Sequence, residues 1–149
     1  MILWQSWSIV LFIALQSVLF FQAQKKCKQG CSFHLTRWLA PLGMFVWGDV
    51  MILSVFWLIS GLVVLLLQDW LLLLLIFSSF WLVRSIGETI YWFLQQFATT
   101  KRDLPHTLMG YRFVKNESIW FMYQVFWQTI TVLTLITTVY FGYQWLRAI

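Results

Sequence analysis

The segment LVVLLLQDWLLLLLIF, running from Leu62 to Phe77, decides the fold of this chain. Two leucine-rich runs meet at Gln68-Asp69 with nothing else between them, and neither alternates apolar with polar residues. A membrane-spanning β-strand needs about ten alternating residues, so both runs read as helices. Asp69 stands where its carboxylate can accept from the open N–H groups of the second helix's first turn. Reversal through so short a link makes a tight antiparallel hairpin.

Working outward, four apolar runs emerge: residues 2–24, 42–67, 70–97 and 119–146. A hydrocarbon core about 30 Å thick needs roughly 20 helical residues at about 1.5 Å each, and every run exceeds that. In lipid each backbone donor must be satisfied within its own segment, which uninterrupted helices achieve without edges. Of the 149 residues 61% are hydrophobic and only 10% charged, too few charges for a water-soluble domain. The fold class expected is an all-α integral membrane protein, a single four-transmembrane-helix bundle over residues 1–149 with a tight helix 2 to helix 3 hairpin. The first run lacks a positive n-region and is longer than a signal-peptide core, so it is expected to remain as a helix.

Basic residues set the expected orientation, because loops rich in Lys and Arg stay on the cytoplasmic side. Lys25, Lys26, Lys28 and Arg37 fall in the 25–41 loop, and Lys101, Arg102, Arg112 and Lys115 in the 98–118 loop. Both termini then lie on the non-cytoplasmic side of a bacterial inner membrane, or of an equivalent inner membrane. These eight side chains are also candidates for anionic lipid headgroups. Their division between two short loops argues against nucleic acid as a partner. Asn116-Glu117-Ser118 matches a glycosylation pattern but abuts the last span on the expected cytoplasmic face, so Asn116 or Ser118 reads as a helix cap. Trp4, Trp70 and Trp145 fall at the outer boundary and Trp38 and Trp120 at the inner one, whereas Trp47, Trp57, Trp81 and Trp127 lie deeper and read as core.

Polar residues inside the spans carry the functional expectations. Arg84 and Glu88 stand one turn apart within the third run. Counted from the middle of the Gln68-Asp69 link, Asp49 and Glu88 are equidistant, which puts both carboxylates at one depth, with Arg84 about 6 Å away along the axis. A buried Asp49, Arg84, Glu88 network is therefore expected, extended toward the cytoplasm by Tyr91 and Gln95 at helical spacing. The fourth run has a secondary stripe at Gln124, Gln128, Thr131 and Thr138. The first has one through Gln5, Ile9, Phe12 and Gln16 that would face a neighbouring helix. Pro41 suits the first turn of helix 2, and Gly43, Gly48 and Gly61 allow close helix approach.

Cys27, Cys31, His34 and His106 are the metal-ligand types present, but C-x3-C without a second pair is a weak zinc pattern, and no metal or other cofactor is expected. No Gly-rich phosphate loop, H-E-x-x-H or G-x-S-x-G occurs. With almost no soluble mass, the function expected is that of a membrane-complex subunit or scaffold, working through lateral contacts with other membrane proteins, with itself or with lipid. The rival is a proton-coupled or small-solute transporter or channel using Glu88 and Asp49, since a carboxylate left over beside Arg84 would have a raised pKa. An enzyme acting on lipid through paired carboxylates is a third reading.

Overall fold

The computed structural model describes residues 2–100 and 102–148, with the Arg37 side chain excepted. Among them are four helices long and apolar enough to cross a membrane: α1 (Leu3–Lys28), α2 (Trp47–Leu67), α3 (Trp70–Phe97) and, after the short turn α4 (Tyr111–Val114), α5 (Ser118–Ala148). The shortest, α2, has 21 residues and so a length of about 32 Å, enough for the apolar core of a bilayer.

The link between α2 and α3 is built as its residues suggest. Gln68 turns the chain in the left-handed region at φ 54°, and its Nε2 donates to the Leu65 carbonyl at 2.6 Å. Asp69 Oδ1 accepts from the backbone N–H groups of Leu71 at 2.9 Å and Leu72 at 3.2 Å, capping α3. Asn116 caps α5 in the same manner, its Oδ1 accepting from the Ser118 N–H at 2.9 Å.

The chain divides into two compact units, Met1–Ile76 and Phe77–Ile149. In the first, α1 packs along α2 through buried Ile9, Leu19 and Ala23 on one side and Val50, Trp57 and Val64 on the other. Phe12 meets Trp57 edge-on with ring centroids 5.8 Å apart. A Cβ on Gly61 would stand 2.8 Å from Ile13 Cγ1, so glycine is what lets the two helices approach here. Gly48 has no such role, since its Cβ would make an ordinary 3.5 Å contact with the Ser32 carbonyl. Ile9 and Phe12 of the α1 stripe are thus spent on α2, and Gln16 is buried.

Helix 2 starts later than the sequence suggests. Arg37–Leu42 forms a 3-10 turn containing Pro41, closed by Gly43 in the left-handed region at φ 71°. The chain then runs extended, with the Thr36 N–H on the Phe45 carbonyl at 2.8 Å, Thr36 Oγ1 on the Met44 carbonyl at 2.9 Å, and a single bridge between Leu35 and Val46. Residues 42–46 close this loop, and Pro41 begins nothing in α2. Helix α1 runs longer instead, through Lys25, Lys26 and Lys28, whose charges favour the negative end of its dipole.

In the second unit α3, from Phe77 onward, faces α5. Trp81 stacks on Trp127 at 6.3 Å, and Trp92 lies against Tyr123 at 4.6 Å. Buried Trp92, Ile119 and Trp120 form the centre, with Tyr91, Leu108, Tyr111, Tyr123 and Trp127 packed around it. Trp120, expected at the membrane boundary, stands in the first turn of α5 and is buried in this centre.

Candidate functional site

The charged residues expected to form a buried network are not buried. Asp49 falls in the first turn of α2, because residues 42–46 are not helical, and its Oδ2 accepts from the Phe45 N–H at 3.1 Å. It serves there as a helix-end acceptor at the boundary of the span. Arg84 and Glu88 pair across one turn of α3 at 3.3 Å, with side chains 26% and 18% exposed. Among the described residues no charged side chain is buried. The spare buried carboxylate that proton-coupled transport would require is therefore not among them.

The lower half of the α3 stripe has a different task. Tyr91 donates its hydroxyl to the Asp103 carboxylate. Gln95 is buried, and its amide oxygen, oriented by the donors around it, accepts from the backbone N–H groups of Arg102 at 2.9 Å and Asp103 at 2.7 Å. Trp120 Nε1 donates to the Asp103 carbonyl at 3.1 Å. Farther along, Tyr123 donates its hydroxyl to the Met109 carbonyl at 3.0 Å. Side chains of α3 and α5 thus pin the segment that joins them at both Asp103 and Met109.

Between the two helices runs a seam of uncharged hydrogen bonds. Gln96 Nε2 donates to Gln124 Oε1 at 2.6 Å. Thr131 Oγ1 donates to Ser85 Oγ at 3.0 Å, and Ser85 in turn reaches the Leu82 carbonyl at 3.0 Å. Gln124 and Thr131 of the expected secondary stripe therefore face α3. Thr138 is half-buried with its hydroxyl enclosed and unpartnered. Gln128 is exposed. Such a seam holds helices in register.

Sequence reasoning passed over Asp103, Ser85 and Gln96, and read Trp120 as a boundary residue only. Asp103 is an acid within a basic loop, directly before Leu104-Pro105, and that sign reversal was the available signal. Ser85 and Thr131 carried none, because small hydroxyl residues bond back to their own helix as readily as across an interface.

Of the headgroup candidates, Lys25, Lys26, Lys28, Arg102, Arg112 and Lys115 are exposed; Lys101 and the Arg37 side chain lie outside the described residues. Cys27 and Cys31 are free thiols, half-buried, and the Cys31 thiol lies 3.7 Å from the Gln29 carbonyl. His34 and His106 are exposed. Among the described residues no three His, Cys, Asp or Glu side chains converge on one point. Comparison with protein-family models, with curated proteins and with solved structures finds no match for this chain.

Proposed function

We propose that this protein is a membrane-complex subunit or scaffold, a single four-helix transmembrane domain that works through lateral contacts in the bilayer. The observation that carries this reading is Gln128. It is exposed on α5, a 31-residue helix in which only Ile119 and Trp120 are buried among the described residues. At about 1.5 Å per residue Gln128 stands roughly 8 Å from the midpoint of α5, inside the hydrocarbon core rather than at its edge. A primary amide left without partners in an apolar medium costs about 1 to 3 kcal/mol. Thr129 and Thr137, exposed on the same helix, return their hydroxyls to backbone carbonyls at 3.0 Å, which the longer Gln128 side chain does not. The partner suited to this position is another transmembrane helix offering an amide or hydroxyl, as interhelical contacts in membranes commonly do. The basic residues of the two loops support an orientation with both termini on the non-cytoplasmic side.

The test is photocrosslinking in the native membrane, with benzoylphenylalanine at Gln128 and, as control, at exposed Val139. Discrete protein adducts from 128 and lipid adducts alone from 139 are expected. Lipid adducts alone from both positions would remove the basis for a lateral docking face on α5.

A further inference from the structure

The segment between α3 and α5 presents two large apolar side chains to the outside: Phe113 is 91% exposed and Met109 85%. Neither is loose chain. The Met109 carbonyl is held by Tyr123, Leu108 and Tyr111 pack on the Trp92–Trp120 centre, and Asp103 is tied by Tyr91 and Trp120. The backbone that carries Met109 and Phe113 is thereby fixed at its flanks, and the cost of ordering it is already met by the fold.

Charge around the two residues is basic. Arg112 and Lys115 are exposed on either side of Phe113, and His106 is exposed before Met109. Asp103 is turned inward onto Tyr91, while Glu117 is exposed at the start of α5. The segment joins the ends of two membrane-spanning helices, so it lies where lipid headgroups begin. Exposed apolar side chains flanked by Arg and Lys are the combination that inserts at this depth: apolar groups enter the acyl boundary while the cations stay among phosphates.

We propose that residues 104–115 form an interfacial anchor, in which Met109 and Phe113 enter the acyl boundary and Arg112 and Lys115 hold the phosphates of anionic lipids. The proposal rests on the reading of α3 and α5 as membrane spans, and is independent of any lateral partner. Each basic residue near an anionic surface favours it about fivefold, so the pair contributes roughly 30-fold at low salt and less as salt screens it.

The experiment uses the full chain with Cys27→Ser and Cys31→Ser, a single cysteine in place of Phe113, Met109 or Ile136, and an environment-sensitive NBD label. Each protein is reconstituted alone into phosphatidylcholine vesicles, with and without phosphatidylglycerol. Ile136, exposed on α5, is the control for the span. The expected result is blue-shifted emission at 113 and 109, quenched by lipid with a nitroxide near the headgroup, and stronger with phosphatidylglycerol. The phosphatidylglycerol increment should disappear in Arg112→Gln/Lys115→Gln. Probes at 113 and 109 that report water in both vesicles, while 136 reports acyl chain, overturn the anchor and leave the patch to a protein partner. Insertion with no phosphatidylglycerol increment overturns the assignment of Arg112 and Lys115. A water signal at 136 would instead overturn the membrane-span reading itself.

Discussion

Gly61→Ala should destabilise the first unit, and the same substitution should stabilise it once Ile13 has been cut back. The added Cβ would lie 2.8 Å from Ile13 Cγ1 and 3.3 Å from Cδ1. Carbon contacts are comfortable at about 3.5 to 4.0 Å, so one helix must withdraw by roughly 0.7 Å or more at this point. Ile13 has little freedom to turn aside, because a β-branched side chain in a helix is confined largely to one χ1 rotamer. Overpacking of this kind costs about 1 to 3 kcal/mol. Against it stands the gain of roughly 1 kcal/mol from replacing glycine by alanine inside a helix. The net effect expected is a loss of about 1 kcal/mol. In Ile13→Ala both offending carbons are gone, the clash disappears, and Gly61→Ala should gain the propensity term alone. The change of sign between the two backgrounds is the signature. It can be read in a double-mutant cycle by reversible unfolding in mixed micelles with graded SDS, followed by far-UV circular dichroism. Equal effects in both backgrounds, within about 0.5 kcal/mol, would refute the close approach of α1 and α2 at Gly61.

Asp103→Ala leaves the Tyr91 hydroxyl without its acceptor and should raise amide exchange across residues 102–111 about tenfold or more, as expected for loss of a charged hydrogen bond worth about 1.5 to 3 kcal/mol; unchanged exchange would show that the carboxylate does not hold the segment. Gln16→Met should raise the unfolding midpoint, because both amide atoms of Gln16 are buried without partners and such an orphaned group costs about 1 to 3 kcal/mol; a lowered midpoint would mean that the amide has a partner in the membrane. In sealed vesicles of known orientation, a membrane-impermeant maleimide should label Cys31 only when the cytoplasmic face is outward, and labelling from the opposite face would invert the topology.

The hairpin, the spans and both helix caps were legible because each depends on local information: the length of an apolar run, or an Asx side chain a few positions from open N–H groups. The start of α2 was not, although Gly43 and Pro41 were in plain view. Pro41 fits the first turn of a helix and equally the 3-10 turn that it occupies, and what decides is the Thr36 hydrogen bonding to residues 44 and 45 across the loop. That error propagated. With α2 begun at residue 42, Asp49 counts as two turns inside the span; begun at Trp47, it lies in the first turn. Equal distance from the link correctly gave Asp49 and Glu88 the same count along the chain, but it could not say whether either carboxylate was buried. The stripe of Arg84, Glu88, Tyr91 and Gln95 was legible as a face of α3, yet its division between an ion pair and a loop anchor depends on where Asp103 comes to rest.

The polar residues of α3 and α5 are largely engaged in holding the second unit together. Ser85, Gln96, Gln124 and Thr131 are consumed in holding α3 to α5, and Tyr91, Gln95 and Trp120 in holding the segment that joins them. Each is uncharged, and each hydrogen bond of this kind in a membrane contributes only about 0.6 kcal/mol on average, so several are needed to fix one register. Gln128 stands apart from that seam, exposed on α5. Its amide has the same requirement as Gln96 and Gln124, and within this chain those two already satisfy each other. On the proposed reading that amide is met by a group from outside the chain, so crosslinking at position 128 reads the contact directly, whereas substitution along the seam disturbs the packing of α3 on α5 itself.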